Sequence, residues 1–259
     1  MRELVFAAKN ITKQYRKARS REKFSALADF HMEVYRGDIY GFVGENGAGK
    51  TTLMRILTGR SEQTSGELEL FGKSSEEELH KQRGRIGALI ESPALYPGMT
   101  AKDNLEVVRL QQGIKDRQCI FDVLETVRLE DAADKKVKDF SFGMKQRLGI
   151  AMSLLGNKEF LVLDEPINGL DPEGIVELRE MLQKLNKEQG VTILISSHLL
   201  GELNQLATCY GFVHAGKMVE QISAEELKEK CTGVAVKELK TDAVSLESYY
   251  MSVIKGGKR

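Results

Sequence analysis

The stretch GENGAGKT at residues 44–51 constrains the fold of this chain more than any other part of the sequence. It matches the pattern G-x-x-x-x-G-K-[ST] and follows the apolar run IYGFV. After it, Leu53, Ile56 and Leu57 share one helical face. Glycines let successive backbone N–H groups surround a phosphate, and a helix start adds partial positive charge. The pattern therefore predicts a strand, a phosphate-binding turn and a helix, which together make a nucleotide site.

The residues of this turn supply the predicted nucleotide contacts. Lys50 is expected to reach the terminal phosphates, and the Thr51 hydroxyl can ligate Mg²⁺. The remaining contacts are assigned to Gly44, Glu45, Asn46, Gly47, Ala48, Gly49 and Thr52.

Two adjacent acids follow the apolar run FLVL at residues 160–163. Pro166 forbids continuation of the strand, so Asp164 and Glu165 lie at its carboxyl end, where open α/β sheets bind ligands. Because Mg²⁺ prefers oxygen ligands, Asp164 is predicted to hold the metal, directly or through water. Glu165 is predicted to polarise the attacking water as a general base.

Polar residues follow four apolar strands: 39–43 is followed by the glycine loop, 85–90 by Glu91, 160–163 by Asp164 and Glu165, and 191–196 by Ser197 and His198. If these strands are parallel neighbours, their four carboxyl ends lie on one edge of one sheet. His198 at that edge can donate to a terminal phosphate, so we predict that it senses the nucleotide.

The remaining patterns define the fold class as α/β. The N-terminal third alternates apolar and polar residues, as in half-buried antiparallel strands, whereas FLVLD and VTILIS have the apolar character of buried parallel strands. We predict a core with a mainly parallel sheet and an antiparallel β subdomain at residues 1–92 and 158–222. A helical subdomain is inserted at 93–157, and a short tail follows at 223–259, in which Ser223 and Glu226 cap one short helix and SLESYYMSVI suggests another.

Composition argues against several classes of protein. Lys+Arg and Asp+Glu number 38 each, which disfavours binding of nucleic acid by bulk charge. No apolar run approaches the ~18 residues that cross a bilayer. The three cysteines, Cys119, Cys209 and Cys231, form neither a disulfide framework nor a zinc pattern. We therefore expect a soluble protein of a reducing cytosol.

Residues 4–220 resemble the ATP-binding cassette (ABC) ATPases, specifically the nucleotide-binding subunits of ABC transporters. The most specific element is FSFGMKQR at 140–147, which is similar to the family signature LSGGQ-x-Q-R and departs from it at Phe142 and Met144. The resemblance implies a P-loop NTPase (RecA-like) core that uses ATP and Mg²⁺. It also implies a head-to-tail homodimer in which Ser141 and Gly143 touch the γ-phosphate held by the partner.

Three further positions take expected roles from this resemblance. NGLD at 168–171 is similar to the loop that carries an aspartate, here Asp171, across the dimer interface. Tyr15 lies where the family places an aromatic that stacks on adenine, and a core tyrosine at a strand end is the alternative. Glu91 stands where the family usually has a glutamine. A glutamate at this position resembles the cassettes linked to export of bacitracin and lantibiotics. Its carboxylate can ligate Mg²⁺ and take part in catalysis, or it can act only as a relay from the membrane partner.

The resemblance implies an ATP-hydrolysing subunit that powers export of a drug or antimicrobial peptide through a separate polytopic permease. Its expected place is the cytoplasmic face of the bacterial membrane. A soluble mechanical ABC ATPase acting on ribosomes or DNA is the alternative, and a small-molecule kinase would leave the signature unexplained. The stretch RKARSREK at 16–23 is predicted to be a solvated basic loop, with a contact to anionic headgroups as the alternative.

Overall fold

The computed structural model describes residues 2–16, 22–198, 200–230 and 246–256. Most of the predicted basic loop at 16–23 lies outside the described residues. The strands are β1 (Leu4–Arg16), β2 (Lys23–Tyr35), β3 (Ile39–Gly44), β4 (Ser65–Leu70), β5 (Ile86–Leu89), β6 (Phe160–Asp164), β7 (Thr192–Ser197), β8 (Cys209–His214) and β9 (Lys217–Ser223). The helices are α1 (Lys50–Leu57), α2 (Glu76–Arg83), α3 (Ala101–Gln111), α4 (Gln118–Thr126), α5 (Phe142–Leu154), α6 (Pro172–Gln189), α7 (Leu200–Asn204), α8 (helical residues 224–230) and α9 (Leu246–Gly256).

A six-stranded sheet in the order β5-β6-β7-β3-β8-β9 forms the centre of the fold. The pairs from β5 to β8 are parallel, and β9 returns antiparallel to β8. The prediction that the four apolar strands are parallel neighbours is therefore confirmed, and their carboxyl ends share one edge. The β8–β9 hairpin turns at Ala215 and Gly216, whose φ angles of 48° and 78° are those that a two-residue hairpin turn favours.

The second sheet is antiparallel, with the order β2-β1-β4. Along β2, Phe30, Met32 and Val34 are buried while His31 and Glu33 are exposed, as the period-two pattern predicts. These apolar side chains form one core cluster with α1 and one face of the central sheet. Since α1 carries the end of the glycine turn, this packing fixes where the turn sits.

Helices α3, α4 and α5 occupy most of residues 93–157. A capping box begins α3, with the Thr100 and Asp103 side chains accepting hydrogen bonds from each other's backbone N–H groups. Ile120, Val123 and Leu124 form the buried stripe of α4 and pack, with the other face of the central sheet, in a second core cluster. The α/β fold class, with a mainly parallel sheet and an antiparallel sheet, is confirmed.

Both helices predicted after residue 222 are present. Ser223 and Glu226 cap α8 reciprocally, with N–H···O distances of 3.1 Å to the Ser223 Oγ and 3.0 Å to the Glu226 carboxylate. Helix α9 packs on the core through Tyr249, Tyr250 and Ile254. Across the described part of the chain, none of the helices combines the length and apolar character needed to span a membrane.

Candidate nucleotide-binding site

The glycine turn joins β3 to α1 in a conformation that needs glycine. Gly47 and Gly49 have φ angles of 82° and 109°, in the left-handed region. A Cβ on Gly49 would stand only 2.6 Å from the carbonyl oxygen of Ala26. The turn thus packs directly on β2.

Lys50 is buried within this turn, and its ammonium group is held by backbone carbonyls. Its Nζ donates to Gly44 O at 2.5 Å and to Glu45 O at 3.3 Å, and it lies 3.5 Å from Oε1 of Glu165. A buried charge needs such partners. The lysine therefore links the turn to the acidic end of β6.

The end of β6 places Asp164 against the first turn of α1. The buried Asp164 carboxylate accepts a hydrogen bond from Thr51 Oγ1 at 2.7 Å through Oδ2, and one from Ser196 Oγ at 2.7 Å through Oδ1. Ser196 pairs with Asp164 across β6 and β7. Two of the predicted metal ligands, Thr51 and Asp164, are thus brought together although 113 positions separate them.

Glu165 is held in an unusual backbone conformation at the same edge. Its φ is 50°, and its N–H donates to Ser196 Oγ at 2.9 Å. Oε2 lies 2.8 Å from Nδ1 of His198, whereas Oε1 is buried without a hydrogen-bond donor. The Lys50 ammonium at 3.5 Å balances the charge of Oε1, but no group donates a hydrogen bond to it, which leaves that capacity for a water. This oxygen and the neighbouring Thr51–Asp164 oxygens fit a site for Mg²⁺ and a water.

A cavity of about 310 Å³ opens above the turn. Its walls include Glu45, Asn46, Gly47, Gly49, Lys50, Thr51 and Thr52 of the predicted loop contacts. Ala48 is buried outside it. Tyr15 and Phe24 line the rim, with ring centroids 5.7 Å apart and planes tilted by 30°. Sequence reasoning missed Phe24, because its proximity to Tyr15 depends on the β1–β2 register.

The signature residues lie at two helix starts that face a separate cavity. Ser141 caps α5 by accepting from Met144 N at 3.2 Å, and Asp171 caps α6 by accepting from Gly174 N at 2.9 Å. Both residues and Gly143 line a cavity of about 440 Å³ whose walls include none of residues 44–51. The exposed Phe142 lies over Gly169, where a Cβ would meet its ring at 3.0 Å. Thus Ser141, Gly143 and Asp171 converge with one another but not with the glycine turn.

Glu91 lies at the sheet edge but is not grouped with the predicted metal ligands. Its φ is 65°, and its carboxylate is paired with Arg55 of α1, a partner that the sequence did not indicate. It borders a cavity of about 600 Å³ that Asp164 and Glu165 also line. Within the described residues, however, no cluster of three or more His, Cys, Asp or Glu side chains could hold a metal ion. Both roles expected for Glu91, metal ligand and relay, stay predictions.

The sequence and structure are similar to those of known transport ATPases. The family model described as "ABC transporter" matches residues 27–168. The bacitracin transport ATP-binding protein BcrA of Bacillus licheniformis is 43% identical over 226 residues, covering 87% of this chain and 72% of that protein. The lantibiotic transport ATP-binding protein SrtF of Streptococcus pyogenes is 44% identical over 211 residues, covering 80% of this chain and 90% of that protein.

Solved structures show the same fold. A dimeric ATP-binding cassette in a post-hydrolysis state bound to ADP and Pi superposes with a TM-score of 0.76 at 25% identity, covering 85% of this chain and 98% of that one. The resemblance inferred from the motifs is confirmed by these similarities.

Proposed function

This chain belongs to the ABC transporter family, and from this premise we propose that it powers export of an antimicrobial peptide through a separate membrane permease. The peptide class comes from the relatives BcrA and SrtF, whose names state bacitracin and lantibiotic transport. The observation that carries the proposal is the assembly of Lys50, Thr51, Asp164 and Glu165 at one edge of the central sheet.

Each group at that edge has a proposed part in ATP hydrolysis. The glycine turn and Lys50 bind the phosphates, and Tyr15 stacks on the base. Thr51 and Asp164 would hold Mg²⁺, which offsets phosphate charge when bound. Glu165 polarises the attacking water through the carboxylate oxygen that lacks a donor.

His198 is proposed to serve both Glu165 and the γ-phosphate. Its Nδ1 already contacts Glu165 at 2.8 Å. To donate to a phosphate through Nε2 at the same time, the ring must carry both protons.

The second half of the ATP site is proposed to come from another copy of the chain. The starts of α5 and α6 present partial positive charge in a cavity that the chain's own glycine turn does not line. A head-to-tail homodimer would bring Ser141, Gly143 and Asp171 to the partner's nucleotide. The similar solved cassette, which is dimeric, supports this arrangement.

The permease is proposed to contact the boundary between the core and residues 93–157, which we propose to act as a helical subdomain. A cavity of about 360 Å³ lies there, lined by the end of β5 with Ser92 and by side chains of α3 and α5. The cavity adjoins Glu91, so a permease segment bound in it can transmit a conformational change to the sheet edge. On this proposal the chain sits at the cytoplasmic face of the membrane.

Gentle detergent extraction of the tagged protein from native membranes tests the transporter assignment. We expect a polytopic membrane protein to co-purify at close to one-to-one, and an untagged strain gives the background. Recovery of ribosomal or DNA-bound proteins with no membrane protein would support the mechanical ATPase instead. No observation on the described residues favours that alternative or the kinase.

Resistance to the peptide tests the cargo class. Cells that carry the subunit and its permease should tolerate bacitracin or a lantibiotic, and Lys50→Ala should remove this tolerance at equal protein level. Equal sensitivity with and without the wild-type subunit would contradict the proposed cargo.

A further inference from the structure

A hydrogen bond connects the last described helix to the glycine turn. The Tyr250 hydroxyl of α9 accepts a hydrogen bond from the backbone N–H of Glu45 at 3.1 Å, across 205 positions of sequence. Tyr250 is only 7% exposed. Glu45 itself is exposed, so the hydrogen bond reaches from a buried side chain of α9 to the backbone at the start of the turn.

The peptide group between Gly44 and Glu45 is held from both ends. Its N–H meets Tyr250, and its carbonyl oxygen, that of Gly44, accepts from Lys50 Nζ at 2.5 Å. The orientation of this single peptide group therefore couples the position of α9 to that of the Lys50 ammonium.

The packing of α9 sets the position of the Tyr250 hydroxyl. The rings of Tyr249 and Tyr250 lie 5.8 Å and 5.9 Å from the ring of Phe212 on β8. Strand β8 also pairs with β3, where Gly44 faces Val213. Burial raises the pKa of Tyr250, so the phenol stays neutral at physiological pH.

We propose that Tyr250 is a positioning residue for nucleotide binding: α9, when docked, holds the glycine turn in the shape that accepts phosphate. Without the hydroxyl, the peptide group can rotate and the binding-competent turn is populated less. Apparent affinity falls in proportion to that population. This inference rests on the proposed role of residues 44–51 as the nucleotide cradle.

The neighbouring tyrosine provides a matched control. Tyr249 is 8% exposed and packs on the same phenylalanine, but its hydroxyl donates to Glu220 Oε2 at 2.9 Å, on β9. Tyr250→Phe and Tyr249→Phe each remove one hydroxyl from the same helix and keep the ring. A general loosening of α9 should therefore affect both variants alike.

Equilibrium titration of the full chain with a fluorescent ATP analogue, without Mg²⁺, separates these cases. We expect Tyr250→Phe to bind about three- to tenfold more weakly than wild type, as loss of one hydrogen bond allows. Tyr249→Phe should stay within about twofold of wild type, and the two variants should show similar melting temperatures. Equal affinity of the two variants, or tighter binding by Tyr250→Phe, would overturn the proposal.

Lys50→Ala distinguishes failure of this inference from failure of the proposed site. If Lys50→Ala loses binding while the two tyrosine variants bind alike, the turn is the nucleotide cradle and only the role of Tyr250 is wrong. If Lys50→Ala binds as well as wild type, the cradle assignment fails and this inference fails with it.

Discussion

The glycine-turn edge and the signature surface are built by different kinds of contact. At the edge, Thr51, Asp164, Ser196 and Glu165 are joined by side-chain hydrogen bonds across 31 to 113 positions of sequence. At the signature surface, Ser141 and Asp171 each bond a backbone N–H only three positions ahead. The first region is assembled by the fold, whereas the second consists of two helix starts that cap themselves.

This difference shows which region can act alone. Long-range contacts within one chain hold Lys50, Asp164 and Glu165 together, so a single chain supplies all of these nucleotide contacts. A helix start leaves up to four N–H groups without intrahelical partners, and one capping side chain satisfies only part of them. The signature surface therefore keeps donors available for a group that comes from outside the chain.

Removing the proposed base should give the largest effect. Glu165→Gln keeps the shape of the side chain but lowers its ability to polarise water, so we expect hydrolysis to fall by ~10²–10⁴. ATP binding should persist, and the variant should be trapped as a dimer at micromolar protein. Phosphate release and size-exclusion chromatography with ATP measure both effects.

Glu188→Gln, an exposed change at the end of α6, is the control for that experiment and should hydrolyse ATP normally. A Glu165→Gln chain that remains monomeric with ATP would contradict the proposed sandwich of two signature surfaces and two glycine turns.

Ser196 supports both acids without facing the ligand, so its loss should have the next largest effect. Ser196→Ala removes the donor to Asp164 and the acceptor for Glu165 N–H. We expect roughly a tenfold slower hydrolysis and a loss of ~1–3 kcal/mol of stability from the unsatisfied groups.

Ser153→Ala is the matched control for Ser196→Ala, since the Ser153 hydroxyl is buried but only bonds Ile150 O within α5, at 2.7 Å. It should lower the melting temperature slightly and leave the rate of hydrolysis unchanged. If both serine variants hydrolyse ATP at the same rate, Ser196 does not position the acids.

Substitution of the signature serine tests whether the signature surface acts on a partner's nucleotide or on that of its own chain. Ser141→Ala should cost ~1 kcal/mol of stability through loss of the N-cap and should reduce ATP-driven dimerisation and hydrolysis. Nucleotide affinity of the dilute monomer should not change. Thr100→Ala, which removes the N-cap of α3, controls for cap loss alone. Weaker binding by monomeric Ser141→Ala would mean that the signature acts within its own chain.

Local patterns in the sequence predicted the elements and the sheet edge, but not the contacts that complete the site. The glycine turn and the acids after FLVL follow from local chemistry, and their meeting follows from parallel strand order. The sequence did not indicate that Ser196 bridges both acids, because a serine within a strand has no distinctive pattern. Nor did it indicate that α9 reaches Glu45, since an amphipathic pattern predicts a helix but not what its tyrosines contact.

Substitution of Glu91 should produce the smallest effect. It tests whether Glu91 works with the metal ligands of the glycine-turn edge. Its side chain is 62% exposed and its partner Arg55 38% exposed, and such ion pairs contribute ~0–1 kcal/mol. We therefore expect Glu91→Ala and Arg55→Ala each to change stability by less than ~1 kcal/mol, with a small positive coupling in the double variant. The Mg²⁺ titration of hydrolysis should be unchanged in both.

A Mg²⁺ titration of the two variants then decides the role of Glu91. If Glu91→Ala raises the Mg²⁺ requirement while Arg55→Ala does not, the carboxylate leaves the arginine when nucleotide binds and joins Thr51 and Asp164 as a metal ligand. If neither variant changes it but permease-coupled hydrolysis falls in both, the ion pair acts as a relay. Because Arg55 lies on the helix that begins at Lys50, that relay would run from the permease boundary to the glycine turn without passing through the metal.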